Sequence, residues 1–363
     1  MLFFVLFLLL CFNPSLSLRI CSFNVRSFGE AKIARAEVLD AVVKIISRCD
    51  IMLLMEIKEN KNRTCPLLVQ QLSGQTKGKR EEYSCVVSGR LGRKSYKEQY
   101  AFLYRRNLVS VKQTYQYPDT QAGDEDAFSR EPFIVWFQSP KTAVKEFAIV
   151  PLHTAPEMAV REIDELYDVY LDIKQHWDTK NFVFMGDFNA GCSYVPRKHW
   201  KNIRLRTSSE FAWLIGDTND TTVRRSTSCP YDRIVVSGEQ LSQAVVPHSA
   251  NIFDFQTAFQ MSEEQVGTAH PMWQGSPGHQ TLGQNRASSA QPCSRRCSIE
   301  LHPPRVVRCI PSPPPHPHLP QALGVSDHFP VEFELKARGG FFDWIKSKFS
   351  KKGRARKNRR SGS

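Results

Sequence analysis

Residues 182–191 read FVFMGDFNAG, and this stretch decides the fold of the chain. Four apolar residues, 182–185, are followed at once by glycine, aspartate and asparagine positions. A short apolar run that ends at turn residues is typical of a fully buried strand. Asp187 and Asn189 therefore lie just past a strand end, which is where a layered α/β protein gathers its chemistry.

The same pattern recurs on both sides of this stretch. Short apolar runs predict further strands over residues 19–25, 51–55, 101–104, 133–137, 147–152, 234–236 and 331–335. Apolar residues at helical spacing predict amphipathic helices over residues 34–46 and 163–177. The alternation predicts an α/β fold, and 363 residues are enough for one large domain.

Residues 1–17 have the composition of a secretory signal peptide. An unbroken apolar run precedes Ser15 and Ser17, small residues that suit a cleavage site, although no positive charge follows Met1. The run is too short to cross a bilayer as a helix. We therefore expect the chain to enter the lumen of the endoplasmic reticulum and to be secreted.

The ten cysteines fit an oxidising compartment. Cys11 leaves with the signal peptide, and three more lie within residues 266–321. Six cysteines allow many pairings, so their spacing leaves the connectivity open. Sequons for glycosylation begin at Asn62 and Asn219 and are usable only in a secreted chain. The six body cysteines are Cys21, Cys49, Cys65, Cys85, Cys192 and Cys229.

Residues 266–321 break the pattern of strands and helices. They are rich in Pro, Ser, Gly, Gln and His without hydrophobic periodicity, so they cannot bury enough apolar surface to fold. Val266 requires a codon that begins with GT, residues 311–321 back-translate to a pyrimidine-rich tract, and Gln321 can be encoded by CAG. We interpret the segment as a disordered insert that derives from a retained intron or from an error in the gene model.

The net charge of +13 is concentrated in the appendages. Residues 336–363 carry +10 of it and the insert +4, which leaves the rest of the chain near neutral. In the tail, Phe341, Ile345 and Phe349 recur at helical spacing among lysines. This pattern predicts a basic amphipathic segment that binds an anionic membrane or nucleic acid. The alternatives are a solvated charged end and a nuclear import signal, of which the second conflicts with the signal peptide.

Acids, amides and histidines recur after the predicted strands. Hydrolysis of a phosphodiester requires a metal ion, a base that activates water and an acid for the leaving oxygen, and these residue types supply all three. Each residue taken alone is more often a turn, cap or surface residue. The candidates are Asn24, Glu56, Glu98, His153, Asp187, Asn189, Asp232, Asp327 and His328.

Together, and in this order, these motifs resemble the deoxyribonuclease I family of the endonuclease/exonuclease/phosphatase superfamily, in particular its gamma branch. The resemblance covers about residues 19–265 and 322–335. It implies a four-layer α/β sandwich of two packed mixed β-sheets flanked by helices. The catalytic domain would then span residues 18–335, interrupted by the insert. The stretches that carry the resemblance are residues 20–29, 92–104, 128–133, 151–153, 186–194, 231–235 and 326–331.

The resemblance implies two histidine–carboxylate pairs. His153 would pair with Glu98 and act as the general acid, and His328 would pair with Asp232 and act as the general base. The resemblance also implies a catalytic Mg²⁺ or Mn²⁺, for which all-oxygen ligands are suitable. The implied ligands of this ion are Glu56, Asp327, Asp187 and Asn24.

The resemblance further implies contacts with the DNA backbone and structural Ca²⁺ sites. Lys58 stands where the family has arginine, which puts a bidentate contact there in doubt. A disulfide between Cys192 and Cys229 and a monomeric state are also implied. The implied DNA contacts are Arg26, Lys58, Tyr96, Arg130, Asn189, Thr222 and Tyr231. The implied Ca²⁺ ligands are Asp126, Glu131, Asp220 and Thr222.

The implied activity is that of a secreted, divalent-metal-dependent endodeoxyribonuclease. It would leave 5′-phosphate and 3′-hydroxyl ends and would include chromatin or membrane-associated DNA among its substrates. A secreted sphingomyelinase-type phosphodiesterase is an enzymatic alternative. The other alternative is a catalytically impaired binder of DNA and membranes, because the insert precedes Asp327 and His328. We expect the insert to weaken both secretion and cleavage.

Overall fold

The computed structural model describes residues 17–58, 61–74, 82–120, 123, 125–262 and 321–339. All of them belong to one unit of the chain, which comprises residues 1–263 and 320–363. The predicted signal peptide up to residue 16, nearly all of the insert and the tail from residue 340 lie outside the described residues. Within the described ranges, no helix is long and apolar enough to cross a membrane.

The first β-sheet contains six strands in the order β11-β12-β1-β2-β4-β3. Strands β1 and β2 run parallel, and every other neighbouring pair is antiparallel. The strands of this sheet are β1 (Leu18–Phe28), β2 (Ile51–Ile57), β3 (Tyr83–Val87), β4 (Gln99–Arg105), β11 (Asn251–Ile252) and β12 (Val331–Leu335).

The second sheet repeats this arrangement with the order β5-β6-β7-β8-β10-β9. Strands β7 and β8 are its one parallel pair. Both sheets are therefore mixed, as predicted. The strands of this sheet are β5 (Ser110–Gln116), β6 (Phe133–Gln138), β7 (Glu146–His153), β8 (Phe182–Asp187), β9 (Phe211–Trp213) and β10 (Asp232–Ser237).

Helices cover the outer faces of the two sheets. The two longest are α2 (Ala36–Ser47) and α4 (Ala159–His176), which are the two helices that the periodicity predicts, shifted by a few residues. The 3-10 segments are Pro156–Met158 and Arg197–Asn202. The other helices are α1 (Glu30–Ile33), α3 (Thr64–Gly74), α5 (Arg204–Thr207), α6 (Glu239–Ala244), α7 (Phe255–Ala258) and α8 (Ala322–Val325).

Alternating side chains on the strands build the four layers, since successive residues of a strand face opposite sides of the sheet. In β8, Val183 and Met185 face the first sheet, whereas Phe182 and Phe184 pack in the cluster that contains α4. Strands β1 and β2 divide in the same way between the inter-sheet core and α2. The predicted four-layer sandwich is confirmed.

Ser262, before the insert, contacts Gln321 and Ala322 in the structure. Ala322 N donates to Ser262 O at 2.9 Å, and Gln321 pairs with Ser262 in an isolated parallel bridge. The body of the fold is therefore continuous across the point at which residues 263–320 leave it.

Candidate active site

The predicted site residues meet where the parallel strand pairs of the two sheets end. Asn24 comes from β1 and Glu56 from β2. In the second sheet, Asp187 of β8 is in register with both His153 of β7 and Asp232 of β10. The two sheets pack face to face, so these strand ends form one cluster.

Gly186 makes this register possible. It has a φ of +144°, and a Cβ at this position would collide with the carbonyl oxygen of Leu152 on β7. Only glycine fits this close approach without strain. The glycine therefore positions Asp187 directly beside the end of β7.

Two histidine–carboxylate pairs face each other across Asp187. Nδ1 of His153 lies 2.7 Å from Glu98 Oε1, and Nδ1 of His328 lies 2.7 Å from Asp232 Oδ2. Nε2 of His153 is 3.6 Å from Asp187 Oδ2, and Nε2 of His328 is 3.5 Å from the same oxygen. A carboxylate thus holds Nδ1 of each imidazole, and Nε2 of each imidazole faces Asp187 Oδ2.

The ionisation of the pairs follows from their surroundings. Burial lowers the pKa of His328, but the charges of Asp232 and Asp187 outweigh it and raise that pKa to about 10. Burial raises the pKa of Asp232 to about 6 against the opposing charge of His328. At neutral pH this pair is therefore an imidazolium and a carboxylate.

The pair of Glu98 and His153 has an additional neighbour, Arg130. Its Nε lies 2.7 Å from Glu98 Oε1 and donates to His153 O at 2.8 Å. Burial and the charge of Arg130 lower the pKa of His153, and Glu98 and Asp187 raise it above its usual value overall. Burial raises the pKa of Glu98, but the charges of His153 and Arg130 lower it overall.

Arg130, a predicted DNA contact, is largely enclosed. Its side chain is only 11% exposed, and its Nε is bound to Glu98 and His153, so its contact with the DNA backbone stays a prediction. Its guanidinium therefore positions the first pair from inside the protein.

The last part of β1, which carries Arg26, forms a strained bend that is tied to Glu56. Arg26, Ser27 and Glu56 have φ values of 43°, 52° and 58°, a region that non-glycine residues rarely adopt. Ser27 N donates to Glu56 Oε2 at 2.8 Å, and the register of β1 and β2 shifts here. Such strain is typical of functional sites that are held by their surroundings.

Lys32, which sequence reasoning missed, braces this bend of β1. Its Nζ donates to Val25 O at 2.8 Å and to Arg26 O at 2.6 Å. Burial and the charge of Arg26 lower the pKa of Lys32 to about 8. A lysine in the last turn of a short helix is typical of a surface residue, so nothing in the sequence pattern distinguishes it.

Asp327 and His328 reach the cluster from the segment between α8 and β12. Ser326 Oγ donates to Asn24 O at 2.6 Å. Val223 N donates to Asp327 O at 2.9 Å, and Asp327 lies 3.5 Å from Arg26 Nε. The segment is therefore fixed by contacts with the body.

The predicted metal ligands are divided between two parts of the site. Asn24 Nδ2 donates to Asp187 Oδ2 at 3.0 Å. Asp187, Asp232 and His328 offer ligand atoms within 4.8 Å of one another. Within the described residues, Ser27, Lys58 and Tyr96 contact Glu56 through Oε2. The carboxylate and amide oxygens near the histidines are of the kind that Mg²⁺ and Mn²⁺ prefer.

Aromatic side chains form the rim of the site. Lys58 Nζ lies 4.1 Å from the ring centre of Tyr96. On the other side, the ring of Tyr231 is 6.1 Å from that of His328 and 5.4 Å from that of Tyr194, a residue not singled out from the sequence. Tyr96 and Tyr194 are both exposed, so they are free to contact a ligand.

The other two predicted substrate contacts are more enclosed. Asn189 Nδ2 donates to Thr154 O at 3.2 Å, so part of its amide is used within the protein. Thr222 pairs with His328 in an isolated bridge, and its hydroxyl donates to Asp220 Oδ1 at 2.6 Å.

The two predicted calcium sites differ. Asp119 lies close to Asp126 and Glu131, and the three residues offer carboxylate oxygens within 4.8 Å of one another. Asp119 Oδ1 is buried without a hydrogen-bond partner, as expected of a ligand oxygen. Asp220, in contrast, accepts from Thr222 and Cys229, and no such group includes it among the described residues.

The structure pairs the six body cysteines in three disulfides. They are Cys21–Cys49, Cys65–Cys85 and Cys192–Cys229, the last of which is the bond that the resemblance implies. Cys192 follows the loop of Asn189, and Cys229 precedes Tyr231 and Asp232. This bond therefore links two segments that carry site residues.

Comparison with known proteins agrees with this geometry. Residues 21–328 match the Endonuclease/Exonuclease/phosphatase family. The chain is 49% identical over 348 residues to deoxyribonuclease gamma of Rattus norvegicus, covering 96% of this chain and 94% of that protein. It is 52% identical over 251 residues to deoxyribonuclease-1 of Sus scrofa, covering 69% of this chain and 87% of that protein.

A solved structure supports the fold alone. Humanized D. rerio TDP2 with 14 mutations superposes with a TM-score of 0.50 at 11% identity. The superposition covers 88% of this chain and 99% of that chain.

Proposed function

The chain belongs to the endonuclease/exonuclease/phosphatase family and, within it, to the deoxyribonuclease I family, and from this premise we propose that it is a secreted, Mg²⁺- or Mn²⁺-dependent endonuclease. It is an endodeoxyribonuclease, a hydrolase of DNA phosphodiester bonds. Beyond this activity, we propose the compartment of the protein, its metal ion, the 5′-phosphate and 3′-hydroxyl ends of its products, and the roles of its side chains.

The observation that carries the proposal is the convergence of the two Nε2 atoms on Asp187 Oδ2, at 3.6 and 3.5 Å. Two imidazoles oriented by carboxylates can give a proton to a leaving oxygen and take one from water. We assign the acid to His153, because Arg130 makes its proton easier to release. His328 has no arginine or lysine within hydrogen-bond reach among the described residues, and we assign it as the base. This role requires its neutral form, which would be favoured when a cation held by Asp187 offsets one of the charges that raise the pKa of His328.

The oxygen ligands near the histidines fit a divalent cation. Asp187 and Asn24, with Glu56 and Asp327, would hold Mg²⁺ or Mn²⁺. When bound, this ion neutralises a non-bridging oxygen of the phosphate. The group of Asp119, Asp126 and Glu131 fits a structural Ca²⁺, because Ca²⁺ takes several carboxylate oxygens.

DNA would lie across the rim formed by Tyr96 and Lys58 on one side and Tyr231 on the other. Contacts to phosphate give affinity without reading the base sequence. The deoxyribonuclease relatives favour this substrate over the lipid of a sphingomyelinase. The assembled positions of Asp327 and His328 favour an active enzyme over an impaired binder.

Three disulfides in the body support a secretory route, because such bonds persist in oxidising compartments. Action on chromatin or membrane-associated DNA is assigned to the basic tail. Its first residues leave the body where Ala337 bridges to Thr142. Nuclear localisation by the same basic run is not part of the proposal.

Nicking of supercoiled plasmid tests the proposal. The secreted chain should nick plasmid with Mg²⁺ or Mn²⁺, lose all activity with excess chelator, and leave 3′-hydroxyl ends that a polymerase extends. Nicking that persists in chelator, or release of phosphocholine from sphingomyelin without nicking, contradicts the proposal.

A further inference from the structure

A cationic turn lies beyond Tyr194, on the 3-10 segment Arg197–Asn202. Arg197, Lys198 and Lys201 are all exposed, and within the described part of the chain none of them forms an ion pair. The next two arginines are different: Arg204 is bound by Asp164 and Asp168, and Arg206 by Asp217. The turn thus presents three unneutralised positive charges.

The backbone of the cationic turn is anchored. Trp200 packs edge-on against Trp213 with ring centres 5.4 Å apart, and Ile203 is fully buried. Ile203 N donates to Trp200 O at 3.2 Å, and His199 N donates to Pro196 O at 2.9 Å. The three cations are therefore displayed on a fixed support.

The turn is continuous with the rim of the active site. The ring of Tyr194 lies 5.4 Å from that of Tyr231, whose ring lies 6.1 Å from that of His328, and both ring pairs are tilted. Arg197 is three residues beyond Tyr194, so its Cα lies within roughly 11 Å of that of Tyr194. At 3.4 Å per nucleotide, such a reach corresponds to about three phosphates along one strand.

A groove of about 520 Å³ runs along the turn. Its lining includes Tyr194 and His199, Glu157 of the 3-10 segment Pro156–Met158, and Asp164 of α4. Arg204 balances the charge of Asp164, and the three free cations of the turn outnumber the remaining lining carboxylate, Glu157. Tyr194 connects the groove with the rim of the active site.

We propose that Arg197, Lys198 and Lys201 bind the phosphate backbone of DNA a few nucleotides beyond the scissile bond. This rests on the proposed function, because it takes DNA as the ligand of the adjoining site. A duplex must be long enough to leave the active site before it reaches the turn. The enzyme would therefore bind long DNA more tightly than short DNA, with a salt dependence that the turn increases.

The test is equilibrium binding in chelator as a function of salt, with the full chain and the triple variant R197Q/K198Q/K201Q. Each phosphate contact contributes about 0.9 to the slope of log affinity against log salt concentration, so three contacts contribute about 2.7. We expect the triple variant to lose about this much slope on a duplex several helical turns long. On a duplex of about six base pairs, which ends before the turn, the slopes should agree.

The matched control is K141Q/K145Q/K180Q, which removes the same charge at the opposite ends of the strands. Lys145 precedes the start of β7 and Lys180 precedes the start of β8, whereas the site lies where these strands end. This control should keep the parental slope. Equal slopes for the two triple variants on the long duplex overturn the proposal.

Failure of the proposed function gives a different result. A chain that binds long DNA with the expected slope but does not nick plasmid with Mg²⁺ contradicts the proposed function and leaves the contact in place. A chain that nicks plasmid with equal slopes for both variants contradicts the contact alone.

Discussion

The two histidine–carboxylate pairs have the same hydrogen-bond length but different surroundings. Glu98 and His153 lie beside Arg130, which contacts both of them. Asp232 and His328 have no arginine or lysine within hydrogen-bond distance among the described residues. The comparison teaches that a cation next to the carboxylate opposes the charge that stabilises the imidazolium, so that equal hydrogen-bond lengths do not by themselves fix the proton affinity of a histidine.

The largest expected effect is the loss of either pair. His153→Ala, His328→Ala and Asp232→Ala should each lower kcat by roughly 10²–10⁴-fold, because each removes or disorients a proton-transfer group. Single-turnover rates on plasmid, with circular dichroism to check folding, measure this effect.

The control for these variants is His176→Gln, an exposed histidine on α4 that lies outside the site. It should keep the parental rate. Near-parental nicking by any of the three site variants would remove that residue from the mechanism. A rate that falls for one pair only would make the other pair structural.

The second prediction concerns the pH dependence of stability without metal. The folded protein raises the pKa of His328 to about 10, above the ordinary value of about 6.5. Its stabilising contribution is therefore fully present below about pH 6.5 and is lost as the pH rises towards 10. The pKa of Asp232 is about 6, so this group has already ionised at neutral pH and adds no change there.

The Tm of the parent should exceed that of His328→Gln at pH 7, and the difference should narrow at pH 10. The corresponding difference for His153→Gln should be smaller at pH 7, because Arg130 opposes the protonated form of His153. A difference between the parent and His328→Gln that stays constant from pH 7 to pH 10 would contradict the raised pKa.

The strands and helices with a strong apolar pattern could be predicted from the sequence. Strand β5 could not, because most of its side chains are exposed and its place is fixed by pairing with β6. The short strands β9 and β11 likewise depend on their neighbours β10 and β12. Local sequence patterns predict buried strands, whereas the positions of edge strands depend on tertiary contacts.

Prediction of the site residues from the sequence is limited in the same way. The strand-end positions of His153, Asp187 and Asp232 follow from the sequence, and the resemblance supplies their partners. The role of Arg130 inside the first pair does not follow, because burial of a single arginine has no sequence signal. Asp119 could not be predicted as a ligand for a related reason. It lies near Glu131 because of a turn in which Asp119 and Asp126 have positive φ.

The last prediction concerns the insert, which affects only one of the two pairs. Every residue of the first pair precedes the insert, whereas His328 follows it. The sequence predicts that the insert weakens cleavage, but the contacts limit this effect. Ser326, Asp327 and Phe329 are held by Asn24, Val223 and Thr221, and none of these partners lies in the insert.

Removing residues 266–321, which joins Gln265 to Ala322, should therefore change kcat per molecule by no more than a few-fold. Ser262 and Ala322, which lie on either side of the insert, are already hydrogen-bonded, and loop closure costs only about 0.6 kcal/mol for each doubling of length. The amount of secreted protein should rise by a larger factor than kcat, because Cys293, Cys297 and Cys309 no longer compete for disulfide partners. Secreted protein and single-turnover rate are measured separately for the two forms.

A second variant separates the two causes. C293S/C297S/C309S keeps the length of the insert but removes its thiols, so it should recover most of the secretion if mispairing is the cause. If only the deletion recovers secretion, the length of the segment is responsible. A deletion that raises kcat more than about tenfold would mean that the contacts at Asn24, Val223 and Thr221 do not hold the second pair against the insert.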